Sequence, residues 1–398
     1  MIRHPPIFKA EVKSFFLEET NMAVLIREVD REGEMKEFID LPWMIYKDNP
    51  YWIPNLKSEY KKMLDVNQYP FWQHAKRRLF LAYKDSKPAG RIAAITDEMH
   101  NKVHEEKAGF FGFFECINDT EVSRALFDAA KAWLKEQGAV YMRGPASPSS
   151  NDEYGFLLEG FKFEPVIMMP YNHKYYLKLA EDYGMKKAKD LFALHKSKYT
   201  GVPERIERMM ERVKKTSQFN LRPFDIKNKE RDVQIIKDVY NQAWEKNWGF
   251  VPMTEAEMDC AAEGMLQFMD PEIVIIAETK DGNKPAGIAI TLPNLNEVLK
   301  HLNGAEGMMG MGFMGLLKFL WYKPKIKGCR ALIGGCLKEY RKTGLIAEIF
   351  YETAVRANGR YEWCEMSWNL EDNDMVNKFD TDIGGFLYKK YRLYQIEI

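Results

Sequence analysis

The stretch KDSKPAGRIAA at 84–94 returns in similar form as KDGNKPAGIAI at 280–290. The shared Lys-Pro-Ala-Gly lies between two apolar runs each time, and its two occurrences are 197 positions apart. Because proline presets φ and glycine tolerates a positive φ, the tetrapeptide predicts a turn that joins two strands. The predicted strands cover 79–83 and 90–96 in the first copy, and 273–279 and 287–292 in the second.

Other features recur in the same order at comparable offsets. Each copy has an apolar run that ends at a cysteine, then a helical pattern that stops at a glycine, then another apolar run. This ordered recurrence indicates a tandem duplication of a unit of roughly 190 residues. The matched pairs are Asn49 and Asn247, Pro54 and Pro252, Cys116 and Cys336, Gly138 and Gly359, and Gly184 and Gly385. The predicted parts are an N-terminal arm at 1–21, a first domain at 22–200, a linker helix at 201–218 and a second domain at 219–398.

The apolar spacing within one unit predicts alternating strands and helices. In the first copy a stripe of apolar residues at helical spacing covers 120–137, where Asp119 or Thr120 can cap the start and Gly138 the end. The corresponding helix of the second copy is predicted at about 344–357. A central strand–helix–strand element in a mixed sheet, present twice, predicts an α/β or α+β fold.

The overall composition limits the classes of function. The chain has 398 residues, 46% of them hydrophobic, and 58 Lys+Arg residues balance 58 Asp+Glu residues. This balance argues against nucleic acid as the main partner, because phosphate neutralisation requires a basic surplus. Five cysteines without a C-x-x-C motif suit a reducing compartment. Without an evident secretory signal or an apolar run of spanning length, a cytoplasmic protein is expected, in contact at most with the inner membrane face.

Three stretches of the second copy resemble the GNAT acyltransferase superfamily: EYRKTGLIAEIFYETA (339–354), WCEMSWNLEDNDM (363–375) and GGFLYKKYRLY (384–394). Most of 22–398 resembles the YghO-type, bacterial ceramide synthase-like family, through phrases such as DNPYWIP, GRIAAI, RGPASPSSNDEYGFLLEGF and SWNLEDN. The resemblance implies two tandem GNAT-like domains with mixed central sheets. It also implies transfer of a fatty acyl group from a coenzyme A thioester to the amine of a sphingoid-type long-chain base.

The turn before the second-copy helix is the predicted acyl-CoA site. A helix N-terminus binds pyrophosphate through free N–H groups and a partial positive charge. In the first copy Asp119 and Glu121 would already occupy that position, whereas the second copy offers Arg341 and Lys342 beside a glycine. The turn departs from the superfamily's cofactor loop at Ile346, where a small residue is usual, and a solvated basic turn is the alternative. The predicted acyl-CoA contacts are Leu337, Lys338, Arg341, Lys342, Thr343, Gly344 and Leu345.

Acyl transfer to an amine needs a deprotonated amine, a polarised thioester carbonyl and a proton for the leaving thiol. Backbone N–H groups around 336–338 are predicted to polarise the carbonyl. If 362–367 is a strand, Glu365 can face the cleft and accept the amine proton, although a surface salt bridge is the alternative. Asn369 and Asn373 complete the predicted catalytic set. The resemblance implies a tyrosine as the acid on the next helix, but that region has Phe379 and no tyrosine, so the acid is unassigned.

Two insertions distinguish the copies. The first copy adds a Pro/Ser/Gly-rich loop at 143–172, and long loops of this kind often carry function. The predicted acceptor contacts in and after it are Asn151, Glu153, Tyr154, Asn172 and Tyr175. The second copy adds a Met-, Gly- and aromatic-rich segment at 302–324, which is expected to line a fatty-chain channel, touch a bilayer surface or pack as a buried helix. His100 and His104 have no third ligand in view, so no metal is expected.

The sequence therefore favours an acyl-CoA-dependent N-acyltransferase whose partners are a small-molecule acyl donor and a lipophilic amine. Two alternatives stay open. One is a non-catalytic pair of degenerate GNAT units that binds acyl-CoA or lipid, which the imperfect loop and the missing tyrosine motivate. The other is an N-acyl amino acid synthase with a polar acceptor.

Overall fold

One continuous sheet carries both copies of the repeat. The structure is a computed structural model, and it describes residues 24–245, 247–306 and 312–398. The predicted arm at 1–21 and part of the 302–324 insertion lie outside the described residues. The strands are β1 (Leu25–Glu28), β2 (Ala75–Lys84), β3 (Lys87–Asp97), β4 (Ala108–Cys116), β5 (Tyr141–Gly144), β6 (Ala146–Ser147), β7 (Glu153–Tyr154), β8 (Phe156–Glu159), β9 (Lys186–Ser197), β10 (Phe219–Pro223), β11 (Val274–Thr279), β12 (Pro285–Pro293), β13 (Gly328–Cys336), β14 (Trp363–Leu370) and β15 (Phe386–Glu397).

The helices pack against the faces of this sheet. They are α1 (Glu32–Ile45), α2 (Lys57–Leu64), α3 (Glu98–His104), α4 (Thr120–Glu136), α5 (Tyr175–Asp182), α6 (Glu204–Thr216), α7 (Lys229–Ala243), α8 (Glu255–Leu266), α9 (Asn296–Leu299), α10 (Gly312–Tyr322), α11 (Leu345–Arg360) and α12 (Asp374–Asp382). Helix α4 packs on β2 and β3 of the first half, and α11 packs on β12 and β13 of the second. Helix α6 lies within the segment predicted as a linker helix and packs against α11.

The strand order shows that the two halves exchange their last strands. Among the described strands the order in the main sheet is β1-β2-β3-β4-β5-β15-β9-β14-β13-β12-β11-β10, with β8 paired to β15. Each half contributes an antiparallel series that ends in one parallel pair, β4 with β5 and β13 with β14. Strand β15 of the second half then pairs with β5 of the first, and β9 of the first half pairs with β14 of the second. The two exchanged strands pair with each other in the middle.

Apart from Lys284, the Lys-Pro-Ala-Gly repeat lies at the beginning of strands β3 and β12, and the prediction that it forms the turn is wrong. The first hairpin turns at Asp85 and Ser86, whose φ values of 52° and 61° suit a tight two-residue turn. The glycine of the repeat serves a close approach of helix to strand. A Cβ on Gly90 would lie 2.7 Å from Leu126 Cδ1 of α4, and one on Gly287 would lie 2.6 Å from Ile349 Cδ1 of α11. The two copies therefore repeat the same helix–sheet contact.

Candidate active site

A cleft opens between β13 and β14 in the second half. The two strands pair in parallel only from Gly328 with Trp363 to Ala331 with Met366, and beyond that point they diverge. The space between them is a cavity of about 150 Å³ lined by Leu332 of β13, Asn369 of β14 and Phe350 of α11, among other residues. We call it the β13–β14 cleft. A register shift against β12 places Leu332 as an extra, bulged residue at this point.

The corresponding space in the first half is filled by the chain itself. Strands β4 and β5 also pair in parallel for three positions and then diverge. Strand β6 enters the gap so closely that a Cβ on Gly112 would lie 1.7 Å from the carbonyl oxygen of Ala146. The Phe113 N–H, at a bend with φ of 49°, donates to Ser147 Oγ at 2.9 Å. The first half therefore has no room for a ligand at the position where the second half has its cleft.

The helices that follow the two clefts also begin differently. At the start of α4 the Asp119 carboxylate accepts hydrogen bonds from the backbone N–H groups of Glu121 and Val122, as the sequence predicted. At the start of α11 the cap is Gly344 with φ of 87°, and the one side-chain hydrogen bond that the described residues make there is long, from Leu345 N–H to Thr343 Oγ1 at 3.4 Å. Within the described chain, the N–H groups of Gly344 and Ile346 have no hydrogen-bond acceptor. This helix start can accept an anion from outside the protein.

The residues predicted to contact acyl-CoA surround the start of α11, but they differ in availability. Lys338, Lys342 and Thr343 are exposed beside it. Arg341 is held instead by the end of α7, where its Nη2 donates to the carbonyl oxygens of Ala243 at 3.0 Å and Gln242 at 3.4 Å. The remaining two are part of the scaffold: the side chain of Leu345 is buried, and the Leu337 N–H donates to Ala286 O at 2.9 Å.

Asp380 of α12 lines the β13–β14 cleft, although no role was predicted for this residue. The residue is 6% exposed, and burial raises the pKa of its carboxyl to about 7, although the Asn369 hydrogen bond opposes this. Asn369 Nδ2 donates to Asp380 Oδ2 at 2.8 Å, which leaves the other carboxyl oxygen to carry a proton. Asn373 also lines the cleft, where its side chain caps α12 through Val376 N. A carboxyl that keeps its proton near neutral pH can serve as a general acid.

Glu365 does not occupy the place predicted for a base. Its side chain is fully buried, at the paired part of β14, and it lines neither cavity described here. Ser367 Oγ donates to Oε1 at 2.5 Å, Lys389 Nζ donates to Oε2 at 3.1 Å, and the Tyr388 hydroxyl also donates to Oε2. Burial alone would raise the pKa of Glu365, but Lys389 and these hydrogen bonds lower it below the usual value. Glu365 is therefore a buried carboxylate that stays charged, and its hydrogen bonds to Tyr388 and Lys389 link β14 to β15.

A second, larger cavity adjoins the cleft. It has a volume of about 520 Å³, and we call it the large cavity. Its walls are mostly apolar and come from α7, α8, β12 and β13, with Ile236, Met265, Leu292 and Ile333 as examples. The large cavity and the β13–β14 cleft share the wall residues Trp244, Asn247, Leu332, Ile333 and Trp368. These shared residues define a junction at which two ligands can meet.

The loop inserted in the first half brings a carboxylate to the large cavity. Asp152 accepts hydrogen bonds from the Tyr69 hydroxyl and from Ser149 Oγ, each at 2.7 Å. Burial raises the pKa of Asp152 to about 6, while the Ser149 and Tyr69 hydrogen bonds lower it in part. Glu257 of α8 lines the same cavity and lies 3.3 Å from His74 Nε2. The cavity is therefore apolar over most of its surface, and at one end it has the Asp152 carboxylate beside the ion pair of Glu257 and His74.

The residues predicted to contact the acceptor are divided between this cavity and the scaffold. Asn151 lines the large cavity and accepts a hydrogen bond from the Tyr240 hydroxyl at 3.0 Å. Tyr154 is buried, with its ring 6.0 Å from that of Trp368 at the junction. The other three lie elsewhere: Glu153 is near Glu115 and Arg91, Asn172 binds the backbone of Leu157, and the Tyr175 hydroxyl donates to Cys116 O.

Sequence reasoning missed Asp152, Thr291, Trp244 and Asp380. The Thr291 hydroxyl lines the β13–β14 cleft, is fully buried and has no hydrogen-bond partner among the described residues. Asp152 could have been predicted, because it lies in the 143–172 loop between the predicted contacts Asn151 and Glu153. Asp380 could also have been predicted, because it directly follows Phe379 in the helix where the resemblance implies the acid. No local pattern distinguishes Thr291 or Trp244.

Two features are absent from the described residues. No helix in residues 24–245, 247–306 and 312–398 is long and apolar enough to cross a membrane. Within the same ranges, no group of three or more His, Cys, Asp or Glu side chains is placed to hold a metal ion.

Two relatives of known name cover almost the whole chain. Protein YghO of Escherichia coli (strain K12) is 33% identical over 396 residues, which are 96% of this chain and 98% of that protein. A protein named bacterial ceramide synthase, from Caulobacter vibrioides, is 33% identical over 384 residues, which are 95% of this chain and 98% of that protein. No protein-family model matches the sequence.

Solved structures with the same fold include tandem GNAT proteins. A tandem GNAT protein from the clavulanic acid biosynthesis pathway has a TM-score of 0.56 at 10% identity, over 94% of this chain and 98% of that chain. A glucosamine N-acetyltransferase region of a fungal β-N-acetylglucosaminidase has a TM-score of 0.53 at 13% identity, over 94% of this chain and 38% of that chain. The predicted fold, two tandem GNAT-like units with a mixed sheet, is confirmed. The chain belongs to the family that contains YghO and bacterial ceramide synthase, as its sequence predicted.

Proposed function

We propose that the protein transfers a fatty acyl group from acyl-CoA to the amine of a lipophilic acceptor, such as a sphingoid-type long-chain base. The observation that carries this proposal is the junction between the β13–β14 cleft and the large apolar cavity. Membership of the family supports an acyltransferase, and one member is named a bacterial ceramide synthase. A fatty chain needs apolar volume, and a transferase needs two ligands that meet at one point.

The donor is assigned to the β13–β14 cleft. Its diphosphate binds the free N–H groups at the start of α11, with Lys338 and Lys342 close by. Its pantetheine arm lies along the cleft, where the unpaired Thr291 hydroxyl offers a hydrogen bond to an amide. The bulge at Leu332 then presents backbone N–H groups to the thioester carbonyl at the junction. The polarising groups are therefore assigned to this bulge, because the N–H of Leu337 already donates to Ala286.

The acceptor is assigned to the large cavity. Its hydrocarbon chain packs against the apolar walls, and its ammonium group pairs with Asp152, beside the ion pair of Glu257 and His74. An ammonium group is favoured there because the Asp152 carboxylate is partly shielded from water. A polar amino acid acceptor would leave most of the apolar wall without a ligand, which favours the long-chain amine over that alternative.

The chemical step follows from these positions. The bound ammonium group first releases one proton to water, because only the neutral amine has a lone pair. The amine nitrogen then attacks the thioester carbonyl carbon, a C–N bond forms, and the C–S bond breaks. Asp152, with a pKa of about 6, accepts the second proton that the nitrogen loses, and Asp380, with a pKa of about 7, gives its proton to the leaving sulfur. The products are an amide, a free thiol and one released proton, and proton exchange with water restores both carboxyl groups, so atoms and charges balance without a metal or a covalent enzyme intermediate.

Thiol release and product mass test the proposal together. Purified protein is mixed with acetyl-, octanoyl- or palmitoyl-CoA and with sphinganine, dodecylamine or glycine. We expect free thiol and amide in equal amounts with palmitoyl-CoA and sphinganine, and little turnover with glycine.

The controls separate the alternatives. Asp380→Asn should slow turnover, while Asp382→Asn, on the same helix but outside both cavities, should not. Calorimetric binding of palmitoyl-CoA without thiol release in any combination would instead indicate a binding protein. Amide formation from glycine alone would indicate an N-acyl amino acid synthase, and either result would overturn the proposal.

A further inference from the structure

Helix α10 presents an apolar face to solvent. Five of its large side chains are 46% to 66% exposed, and they recur at the spacing of a single helix face. They are Phe313, Met314, Leu317, Leu320 and Trp321. Large apolar side chains grouped in this way mark an interaction surface rather than ordinary surface variation. We call these five residues the outer face of α10.

The opposite side of α10 belongs to the large cavity. Phe319 is one of the residues that line this cavity, and Gly315 is buried. Tyr322 stacks on His301, with ring centroids 3.7 Å apart. The helix therefore lies between the apolar interior of the cavity on one side and solvent on the other.

Three lysines without an ion pair to a described residue flank α10: Lys318, Lys323 and Lys325. The Lys325 ammonium lies on the outer face, 4.0 Å from the centroid of the Trp321 ring. The other two flank the opposite side, where Lys318 Nζ donates to His301 O at 3.1 Å and Lys323 Nζ donates to Gln267 O at 3.4 Å. Lysines and a tryptophan beside an apolar helix face are the features of a helix that lies in a membrane interface.

We propose that α10 docks the protein on an anionic phospholipid bilayer, with its outer face among the upper acyl chains and its lysines at the phosphates. Charge favours this occupant over a second copy of the chain. In a twofold dimer the same surface would meet itself, and the unpaired lysines would then repel each other.

The docking also gives a route for the acceptor. A lipophilic amine dissolved in the bilayer reaches the large cavity beside α10, because the same helix contacts the membrane and lines the cavity. This second part rests on the proposed function, whereas membrane binding itself does not.

Vesicle sedimentation with the full chain tests the docking. The vesicles are phosphatidylcholine alone or phosphatidylcholine with 30% phosphatidylglycerol. We expect binding to the anionic vesicles and at least tenfold weaker binding to the neutral ones. The triple variant Lys318→Gln/Lys323→Gln/Lys325→Gln should lose roughly fivefold in affinity for each lysine removed. The variant Leu317→Ser/Leu320→Ser/Trp321→Ser should lose binding to both kinds of vesicle.

Matched variants and a second assay make the result decisive. The control for the lysine variant is Lys107→Gln/Lys131→Gln/Lys135→Gln, which removes three lysines without described ion pairs elsewhere on the protein. The control for the outer-face variant is Val66→Ser, which changes an exposed valine away from α10. Both controls should bind vesicles as the wild type does. Unchanged sedimentation of the α10 variants, or no wild-type binding at millimolar lipid, would overturn the proposal. So would a wild-type dimer that the outer-face variant converts to a monomer without any vesicle binding.

The two proposals fail separately. The outer-face variant should acylate a detergent-dispersed amine at the wild-type rate and a vesicle-embedded long-chain base at least tenfold more slowly. Vesicle binding without turnover would reject only the proposed function. Turnover on the dispersed amine without vesicle binding would reject only the docking.

Discussion

Asp380 and Glu365 are two buried carboxylates of the second half with opposite pKa shifts. Both lose hydration, which favours the neutral acid. Glu365 regains its charge because an ammonium group and two hydroxyls face it, whereas among the described residues the one side chain that hydrogen-bonds to the Asp380 carboxyl is the neutral amide of Asn369. A buried carboxylate that lacks a cation keeps its proton, so Asp380 is the one suited to donate it.

Asp380→Asn is expected to lower kcat for acyl-CoA roughly a hundredfold, the usual contribution of a general acid. Wild-type kcat should fall as pH rises through about 7, because the acid then loses its proton, and the variant should lack this alkaline decline. Stopped-flow measurement of thiol release across pH 5.5–8.5 checks both expectations.

The leaving group distinguishes an acid from a structural residue. A p-nitrothiophenyl thioester carries an acidic thiol that departs without a proton, so it should restore most of the lost rate to Asp380→Asn. If the variant is equally slow with this donor and with acyl-CoA, Asp380 does not protonate the sulfur. The melting temperature of the variant should stay within a few degrees of the wild-type value.

At the scale of elements, α4 and α11 are corresponding helices of the repeat, but their N-termini differ. Asp119 caps α4 and also pairs with Lys84 at 2.6 Å, so this helix start is already neutralised. Helix α11 starts at a glycine that no side chain covers, and a Cβ there would find only Val213 Cγ1, at 3.7 Å. There is space at this position for a different side chain, and the backbone conformation is one that asparagine and aspartate tolerate.

Gly344→Asp should place on α11 the negative charge that α4 already carries. We expect at least a tenfold loss of affinity for coenzyme A, because the new carboxylate competes with the diphosphate for the free N–H groups. Isothermal titration calorimetry at low ionic strength measures the loss. Gly344→Asn provides the control, since it imposes the same backbone requirement without charge and should bind more tightly than the aspartate variant. Equal affinity in the two variants would mean that the diphosphate lies elsewhere.

Elements were predicted best where a local rule determines them. The stripe of apolar residues and the Asp119 cap place α4 to within a residue, because both signals lie inside the helix. Helix α11 runs to Arg360, past Gly359, because that glycine does not take the left-handed conformation that ends a helix. The hairpin turn was misplaced for a similar reason, since Asp85 and Ser86 adopt positive φ and the glycine of the repeat is needed for packing instead.

At the scale of the whole molecule, the candidate active site takes residues from both halves. Asp152 comes from the inserted loop of the first half, whereas Trp244 and Asp380 come from different elements of the second. A repeat in the sequence indicates two like units, but it contains no signal for which parts of them meet. The catalytic set was predicted in the second half, with Glu365 as the base, and acceptor contacts were predicted in the first half. Asp152, Trp244 and Asp380 were not selected, because only the tertiary contacts bring these side chains together.

The exchange of β9 and β15 between the halves was also not predicted from the sequence. The pattern of alternating residues in β9 and β15 predicts strands, and either strand could pair within its own half. In the structure β15 lies between β5 and β9, so each half completes the sheet of the other. The duplicated fold is thereby converted into one cooperative sheet, with β9 and β15 paired from His195 with Phe386 to Lys186 with Gln395.

Division of the chain between α6 and β10 is expected to leave two fragments that cannot fold alone. The fragment that ends at 217 lacks the middle strand β15, and the fragment that begins at 218 lacks β9, so each exposes unpaired strand edges that favour aggregation. Mixed in denaturant and diluted together, the two should form a one-to-one complex with the near-ultraviolet circular dichroism of the intact chain. Intact protein cleaved after folding, at a protease site inserted at 217–218, is the matched control and should stay associated. If either fragment alone is a monomer that unfolds cooperatively, its terminal strand pairs within its own half, and the exchange does not hold the molecule together.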